Sequence, residues 1–260
     1  MKNCRCCAQR DLTNLFTAEL IGRNVSYYEC KNCRYVQTEE PTWLKDAYAS
    51  AINASDTGIM VRNLSNVSIV LATLTLMGSR KKQIVDYAGG YGFLVRLLRD
   101  IGVDALWADP YSDNLVARGF EFQGFGQPAL VSAFEAFEHF VNPIEEMKKL
   151  LSISGNILLT TTLVPEPTPQ PKDWWYYGLD HGQHIGFYRV RTLQYLADRF
   201  GLNLLTDGVS THFISEKKYS HIAWRASRQI AKRMPKLFAI GLNSKTWTDH
   251  LKIQNTILSD

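Results

Sequence analysis

The stretch Ile84-Val85-Asp86-Tyr87-Ala88-Gly89-Gly90-Tyr91-Gly92-Phe93-Leu94-Val95 decides the fold. An apolar run rises to an acid and a glycine turn follows. Phe93, Leu94, Leu97, Leu98 and Ile101 then recur at helical spacing as far as Gly102. The order is strand, turn, helix. Glycines in such a turn accept positive φ and let the backbone approach a ligand closely. Asp86 stands at the end of the first strand. Asp109-Pro110 closes the next apolar run, Ala105-Leu106-Trp107-Ala108. That acid lies about 20 residues on, where a carboxylate can accept both hydroxyls of a ribose.

The alternation continues on both sides. Ala129-Leu130-Val131 reads as a short buried strand. Asn142-Pro143 opens a helix, with Glu145 and Glu146 favouring its dipole, and Ile153-Ser154-Gly155 stops it. Asn156 to Leu163 is a further strand. Pro165 to Pro171 is an extended loop, because its four prolines cannot sit inside a helix. Arg191 to Phe200 is amphipathic and ends at Gly201. Leu202–Leu205 and His212–Ser215 are two more strand candidates. Residues 39–80 read as mostly helical, as do the last forty. Strand–helix alternation of this kind predicts an α/β, Rossmann-like fold with a mainly parallel sheet covered on both faces.

The five cysteines lie at 4, 6, 7, 30 and 33. Cys4/Cys7 and Cys30/Cys33 have the C-x-x-C spacing, in which one tight turn offers two sulfurs to one ion. Two such turns complete a tetrahedral site suited to zinc. The expectation is a zinc-ribbon-like module over residues 1–38, with Cys4, Cys7, Cys30 and Cys33 as ligands. A pair of redox thiols is the competing reading. Four thiolates leave no open position, so the zinc would be structural. A module this small would draw much of its folding energy from the metal.

The glycine turn discriminates among nucleotides. A dinucleotide fingerprint wants a third glycine where Val95 stands, and Asp86 would repel a pyrophosphate. A sulfonium ligand carrying an ammonium group would not be repelled. A nicotinamide cofactor and a purely structural turn stay open as alternatives. The pattern Asp86-x-Ala88-x-Gly90-x-Gly92 resembles the S-adenosylmethionine (AdoMet) motif of class I methyltransferases, whose usual form has glycine where Ala88 stands. The resemblance implies a seven-stranded methyltransferase sheet, with residues 81–220 as the AdoMet-dependent domain. It makes 39–80 a helical lid or linker and 221–260 a helical extension. Asp86, Ala88, Gly89, Gly90, Gly92, Asp109 and Pro110 are the implied cofactor residues. Phe134-Glu135 joins them, because Phe134 to Pro143 resembles the family's segment after the fourth strand.

Beyond that lies Trp174-Trp175-Tyr176-Tyr177-Gly178-Leu179-Asp180-His181-Gly182-Gln183-His184, a loop dense in aromatics and histidines that suggests an acceptor pocket. The whole arrangement is similar to zinc-module methyltransferases related to bacterial deoxysugar C-methyltransferases. That resemblance implies a base at His184, with Gln183 where the relatives carry Glu. It implies a second functional histidine at His139 and a tyrosine at Tyr48. His181 is a further candidate, since neutral imidazole accepts a proton near pH 7. The implied acceptor is a small molecule, a sugar, a sugar nucleotide or a related precursor. The alternative is a zinc module that docks RNA or protein, on a methyltransferase-like chain that includes a catalytically inactive form.

Charge and composition bound the partners. Lys and Arg number 29 against 25 Asp and Glu, a net charge of +4. That excess is too small to mark a nucleic-acid binder. Arg225, Arg228, Lys232, Arg233 and Lys236 cluster at near-helical spacing, which reads first as a solvated face and second as an anion site. No apolar run reaches the roughly 20 residues of a membrane span. The first residues lack the apolar core of a secretory signal. The expectation is a cytoplasmic protein with no membrane partner, in a compartment where clustered cysteines hold metal rather than disulfides.

Overall fold

In the computed structural model, which describes residues 3–48 and 56–259, the chain is an α/β protein with a central mixed sheet. Its strands are β1 (Leu12–Leu20), β2 (Arg23–Cys30), β3 (Val36–Thr38), β4 (Ile84–Tyr87), β5 (Ala105–Ala108), β6 (Leu130–Phe134), β7 (Asn156–Thr160), β8 (Gly186–Phe187), β9 (Asn203–Thr206) and β10 (Thr211–Ser215). The helices are α1 (Leu44–Ala47), α2 (Ile59–Leu76), α3 (Phe93–Asp100), α4 (Pro143–Ile153), α5 (Val190–Arg199), α6 (His221–Arg233), α7 (Pro235–Phe238) and α8 (Thr246–Ser259). One sheet has the order β5-β4-β6-β7-β10-β9 and a second has β1-β2-β3-β8. Where a seventh strand is expected in the larger sheet, Glu121 forms one isolated parallel bridge to Trp107. Gly119, Gly124 and Gly126 around it all have positive φ, which a strand ladder does not tolerate.

The chain divides into two compact units. One comprises residues 1–53, 134–152 and 159–218, and the other 54–133, 153–158 and 219–260. In the second unit, β4 runs parallel to both β5 and β6 with Asp86 opposite Trp107 and Ser132. Ile84, Val85, Leu130 and Val131 are fully buried, as strands covered on two faces must be. Helix α2 is long and apolar enough to cross a membrane by length and composition alone, yet Val70 to Leu74 are buried inside this unit. Helix α6 lies on it through Trp224, whose indole N–H reaches Thr73 Oγ1 at 3.3 Å.

The first unit begins with a hairpin. β1 and β2 pair antiparallel across Ile21-Gly22, both at positive φ, the turn that suits the twist of a two-residue hairpin. β2 pairs with β3, and β3 with β8, so segments far apart in sequence share one sheet: Val36 faces Phe187 and Gln37 faces Gly186. Leu20, Val25, Tyr27 and Val36 bury themselves in one core with Trp43, Trp174, Tyr176, Tyr177, Ile185 and Phe187. The cysteine module and the aromatic loop therefore have a common core. Arg189 closes it: its guanidinium bonds to Glu29 at 2.9 Å, to the carbonyls of Val164 and Pro165, and to Thr168.

The C-terminal helix α8 is held to α3 by a buried ion pair. Asp249 accepts two hydrogen bonds of 2.8 Å from Arg99 and another from Arg96, while Arg99 also reaches Asp104. Removing one partner of such a pair leaves the other charge buried without compensation. Asp249→Ala is expected to lower unfolding free energy by about 3 kcal/mol, at the low end for such losses because Asp104 still faces Arg99. Urea titration of the variant against the parent checks this.

Candidate functional site

The glycine turn follows β4 as its sequence predicts. Ala88 stands just past the strand at φ +57°, in the left-handed region that favours glycine. A Cβ on Gly89 would meet Asp86 Oδ2 and Trp107 Cδ1 at 3.0 Å, and one on Gly92 would meet Asn114 Oδ1 at 2.8 Å. These two glycines are required by the protein's own packing. Gly90 is different: a Cβ there would meet nothing within 4 Å, so the space beside it is open to a ligand. Trp107 donates its indole N–H to Gly90 O at 2.8 Å and fixes the turn from behind.

Two acids flank this space. Asp109 accepts from the N–H groups of Tyr111 and Ser112 on Oδ1 and of Gly90 on Oδ2, at 2.8, 3.0 and 2.9 Å. A carboxylate has about four acceptor sites, so one remains on Oδ2 for an outside hydroxyl. Pro110, next to it, is exposed. Asp86 is buried and accepts 2.7 Å from Ser132 Oγ. Burial pushes its carboxyl up to about 7, the Ser132 hydroxyl opposes this, and the negative Asp109 adds to it. A cation bound beside Asp86 would bring it back to the charged form. Ser132, a lone hydroxyl in the apolar run of β6, is the site residue that sequence reasoning passed over.

Phe134 ends β6. Glu135 follows at φ +49°, a strained conformation for a non-glycine residue, with its N–H bonded to Thr160 O at 3.1 Å. Like Ala88, it stands immediately past the carboxyl end of a strand, where ligands of α/β sheets bind.

The histidines form a second cluster, within the first unit. His139 Nδ1 lies 2.9 Å from Tyr48 Oη and 3.1 Å from Gln183 O. His184 Nδ1 lies 2.7 Å from Tyr176 O. A carbonyl can only accept, so in both rings Nδ1 carries the proton and Nε2 keeps the basic lone pair. His181 is opposite in sense, since its Nδ1 accepts from Gln183 N–H at 3.1 Å. Ring centroids of His139 and His181 each stand 4.9 Å from that of His184. Burial holds His184 well below the usual histidine range, and the neighbouring His139 and His181 push it further down. His139 and His181 are also lowered, chiefly by burial. Glu138 is fully buried and accepts 2.6 Å from the Tyr176 hydroxyl. One donor atom each from Glu138, His139 and His184 lie within 4.8 Å of one another, close enough to share a cation. Of the two tryptophans in this loop, Trp174 belongs to the core and Trp175 is exposed.

The four cysteines meet. Their sulfurs all lie within 4.8 Å of one another, with Cys4–Cys33 at 3.6 Å and Cys7–Cys30 at 3.5 Å. Tetrahedral zinc with bonds of about 2.3 Å needs sulfurs roughly 3.8 Å apart, so the residues fit the ion. The two turns match: Ala8 N–H bonds Cys4 O at 2.8 Å, Arg34 N–H bonds Cys30 O at 2.9 Å, and both Ala8 and Arg34 have positive φ. Burial pushes the Cys30 thiol up to about 11, a cost that a bound cation offsets by stabilising thiolate. Cys6 is buried too but stands outside the group of four.

Residues 62–207, over half of the chain, match the family model described as a methyltransferase domain. Among solved structures, magnesium protoporphyrin IX methyltransferase (ChlM) from Synechocystis PCC 6803 with bound SAM is similar at 16% identity and a TM-score of 0.39, over 67% of this chain and 90% of that one. An O-methyltransferase family protein from Burkholderia thailandensis is similar at 14% identity and a TM-score of 0.47, over 68% of each chain. CalO1, a methyltransferase in calicheamicin biosynthesis in its SAH-bound form, is similar at 13% identity and a TM-score of 0.42, over 66% of this chain and 61% of that one. No curated protein matches the chain.

The raised Asp86 carboxyl has a consequence for the ligand-free protein. Its folded value lies above the unfolded one of about 4, so the folded state holds the proton more tightly. Stability therefore falls as pH rises between about 4 and 7. Asp86→Asn is expected to remove this part of the fall and to be more stable than the parent above about pH 7. Urea midpoints measured across that range decide it.

Proposed function

This chain belongs to the methyltransferase-domain family, and we propose that it takes its methyl group from AdoMet and that its acceptor is a small sugar-like molecule deprotonated by His184. The observation that carries the base assignment is the fixed tautomer of His184, with Nδ1–H held on Tyr176 O and Nε2 left basic. The sugar class rests on the sequence resemblance over the His139 and His184 segments. We place the reaction in the cytoplasm, where the clustered thiols stay reduced.

The cofactor supplies a methyl carbon already activated by its sulfonium, so the protein's tasks are alignment and proton removal. Gly90 would leave room for the bound molecule, Asp86 would face its cationic methionine end, and the remaining Oδ2 site of Asp109 would take a ribose hydroxyl. Ala88, Gly89 and Gly92 shape that turn, Pro110 follows Asp109, and Phe134 and Glu135 at the end of β6 are further candidate cofactor residues. His184 Nε2 would take the proton of the acceptor's nucleophilic oxygen or carbon. His139, steadied by Tyr48, lies beside it, and His181 completes the cluster.

His184→Ala is expected to lower kcat by about 10²–10⁴-fold, the usual contribution of a general base. Its affinity for AdoMet should stay within about twofold, because the turn at Gly90 is untouched. Calorimetric titration together with turnover on sugar-nucleotide acceptors checks both; unchanged turnover would remove His184 from the base role. A second reading has its own observation: Glu138, His139 and His184 could hold a divalent cation at the acceptor in place of a base. Turnover that a mild chelator abolishes and added Mg²⁺ or Mn²⁺ restores would favour it.

The four-cysteine site we assign to structural zinc. The purified protein is expected to carry one zinc per chain. Cys30→Ser/Cys33→Ser should lose it together with thermal stability, and Cys6→Ser should keep it. Metal analysis by mass spectrometry alongside melting curves tests this assignment.

A further inference from the structure

From Tyr219 to Thr248 the chain has no Asp or Glu, and it carries Arg225, Arg228, Lys232, Arg233, Lys236 and Lys245. Elsewhere basic side chains are commonly paired, as Arg23 is with Asp46, Arg62 with Asp56 and Lys149 with Glu146. Among the described residues, Arg225, Lys232, Arg233 and Lys236 form no ion pair, and all four are exposed. The structure orders this charge. Helix α6 turns Trp224 and Ala231 inward, and this leaves Ile222, Arg225, Ala226, Gln229, Ile230 and Arg233 along its outer side. Pro235 opens α7 directly after it, and Arg80 caps the far end by bonding the carbonyls of Phe238 and Ile240 at 2.9 Å. Arg80 is followed by exposed Lys81 and Lys82, which enlarge the basic surface.

Apolar side chains are interleaved with the charges and face solvent. Ile222 is 81% exposed and Ile240 66%, with Met234, Leu237 and Ile230 also open. A solvated helix face does not need them, and their burial would be favourable by roughly 25 cal/mol per Å². A nucleic acid would engage the arginines and leave the isoleucines in water. A second copy of the same face would bring like charges together. A bilayer with anionic lipids meets both halves of the surface, taking the apolar chains into its headgroup boundary and the basic ones at its phosphates.

We propose that α6 and α7, with Lys81 and Lys82, form a docking surface for an anionic lipid bilayer. The association is peripheral and crosses nothing, so it needs no spanning segment; the sequence-based expectation of no membrane partner rested on the lack of one. It is independent of the acceptor and of the base assigned above.

The test is sedimentation of the full-length, metal-loaded protein with vesicles of phosphatidylglycerol and phosphatidylcholine in equal parts, and with phosphatidylcholine alone. The protein is expected to sediment with the mixed vesicles and to stay in solution with the neutral ones. Arg225→Glu/Arg233→Glu/Lys236→Glu should weaken binding by more than about tenfold, and Ile222→Ser/Ile240→Ser by severalfold. These sites are exposed, and unchanged melting curves would show that both variants fold. Failure to bind the mixed vesicles at low salt would overturn the proposal. So would full binding by Ile222→Ser/Ile240→Ser, since charge alone would then account for the effect. Equal or tighter binding of a single-stranded RNA by the parent would reassign the face to nucleic acid.

Discussion

The first unit depends on the pairing of β3 with β8. Through it, Val36 beside the second cysteine turn is laid against Phe187 beside the histidine loop. The contact is closely fitted: a Cβ on Gly186 would collide with the hydroxyl of Tyr35, a residue with no exposed surface. More bonds follow the same path. Arg5 donates to Ile185 O, Thr38 N–H bonds Ile185 O at 3.1 Å, and Trp43 donates to Gly182 O at 2.8 Å. Thr192, at the start of α5, donates to Cys33 O at 2.9 Å. An irregular loop has many conformations of its own, and here a sheet edge and a cysteine turn select one. The cysteine cluster is therefore part of the support for His184, which sits between those anchors.

In the second unit the recurring theme is strain and desolvation at a strand end. Ala88 at positive φ costs about 1 kcal/mol relative to glycine. Asp86, buried, is compensated by one hydroxyl, that of Ser132. Neither is the most stable choice for an isolated fold. Both would suit a site that takes a cationic ligand: a bound positive charge would offset what Asp86 loses on burial, and a turn held from behind by Trp107 keeps the space at Gly90 open.

Much of this was legible in the sequence, and unevenly so. The strand-turn-helix at Ile84–Asp100 was clear because periodicity, glycine and flanking acids all agree. The helix over Pro143–Ile153 was clear because Asn142, Pro143 and two glutamates mark its start. The nine-residue strand β1 was not read. Its turn is Ile21-Gly22, and isoleucine carries none of the usual signal for a left-handed position. The pairing of β3 with β8 could not be read either, because two residues at 186–187 give no periodicity and the partner lies far away in sequence. At the histidine cluster, residue types were visible and geometry was not. Nothing in the chain reveals that His139 and His184 both place Nδ1 on a carbonyl, or that Tyr176 reaches Glu138.

That geometry gives Gln183 a part in setting the charge state of the cluster. Its side-chain N–H₂ donates to Ala47 O at 2.9 Å. A carboxylate would set oxygen against oxygen there. It would also place negative charge among His139, His181 and His184, and a neighbouring anion favours the imidazolium. An amide leaves burial and mutual repulsion in control, which hold His184 neutral. A neutral imidazole with one nitrogen committed to a backbone carbonyl is ready to take a proton without first losing one. An amide at position 183 thus leaves the protonation of His184 under the control of desolvation. An imidazole so held has a weaker proton affinity and stays in its accepting form near neutral pH.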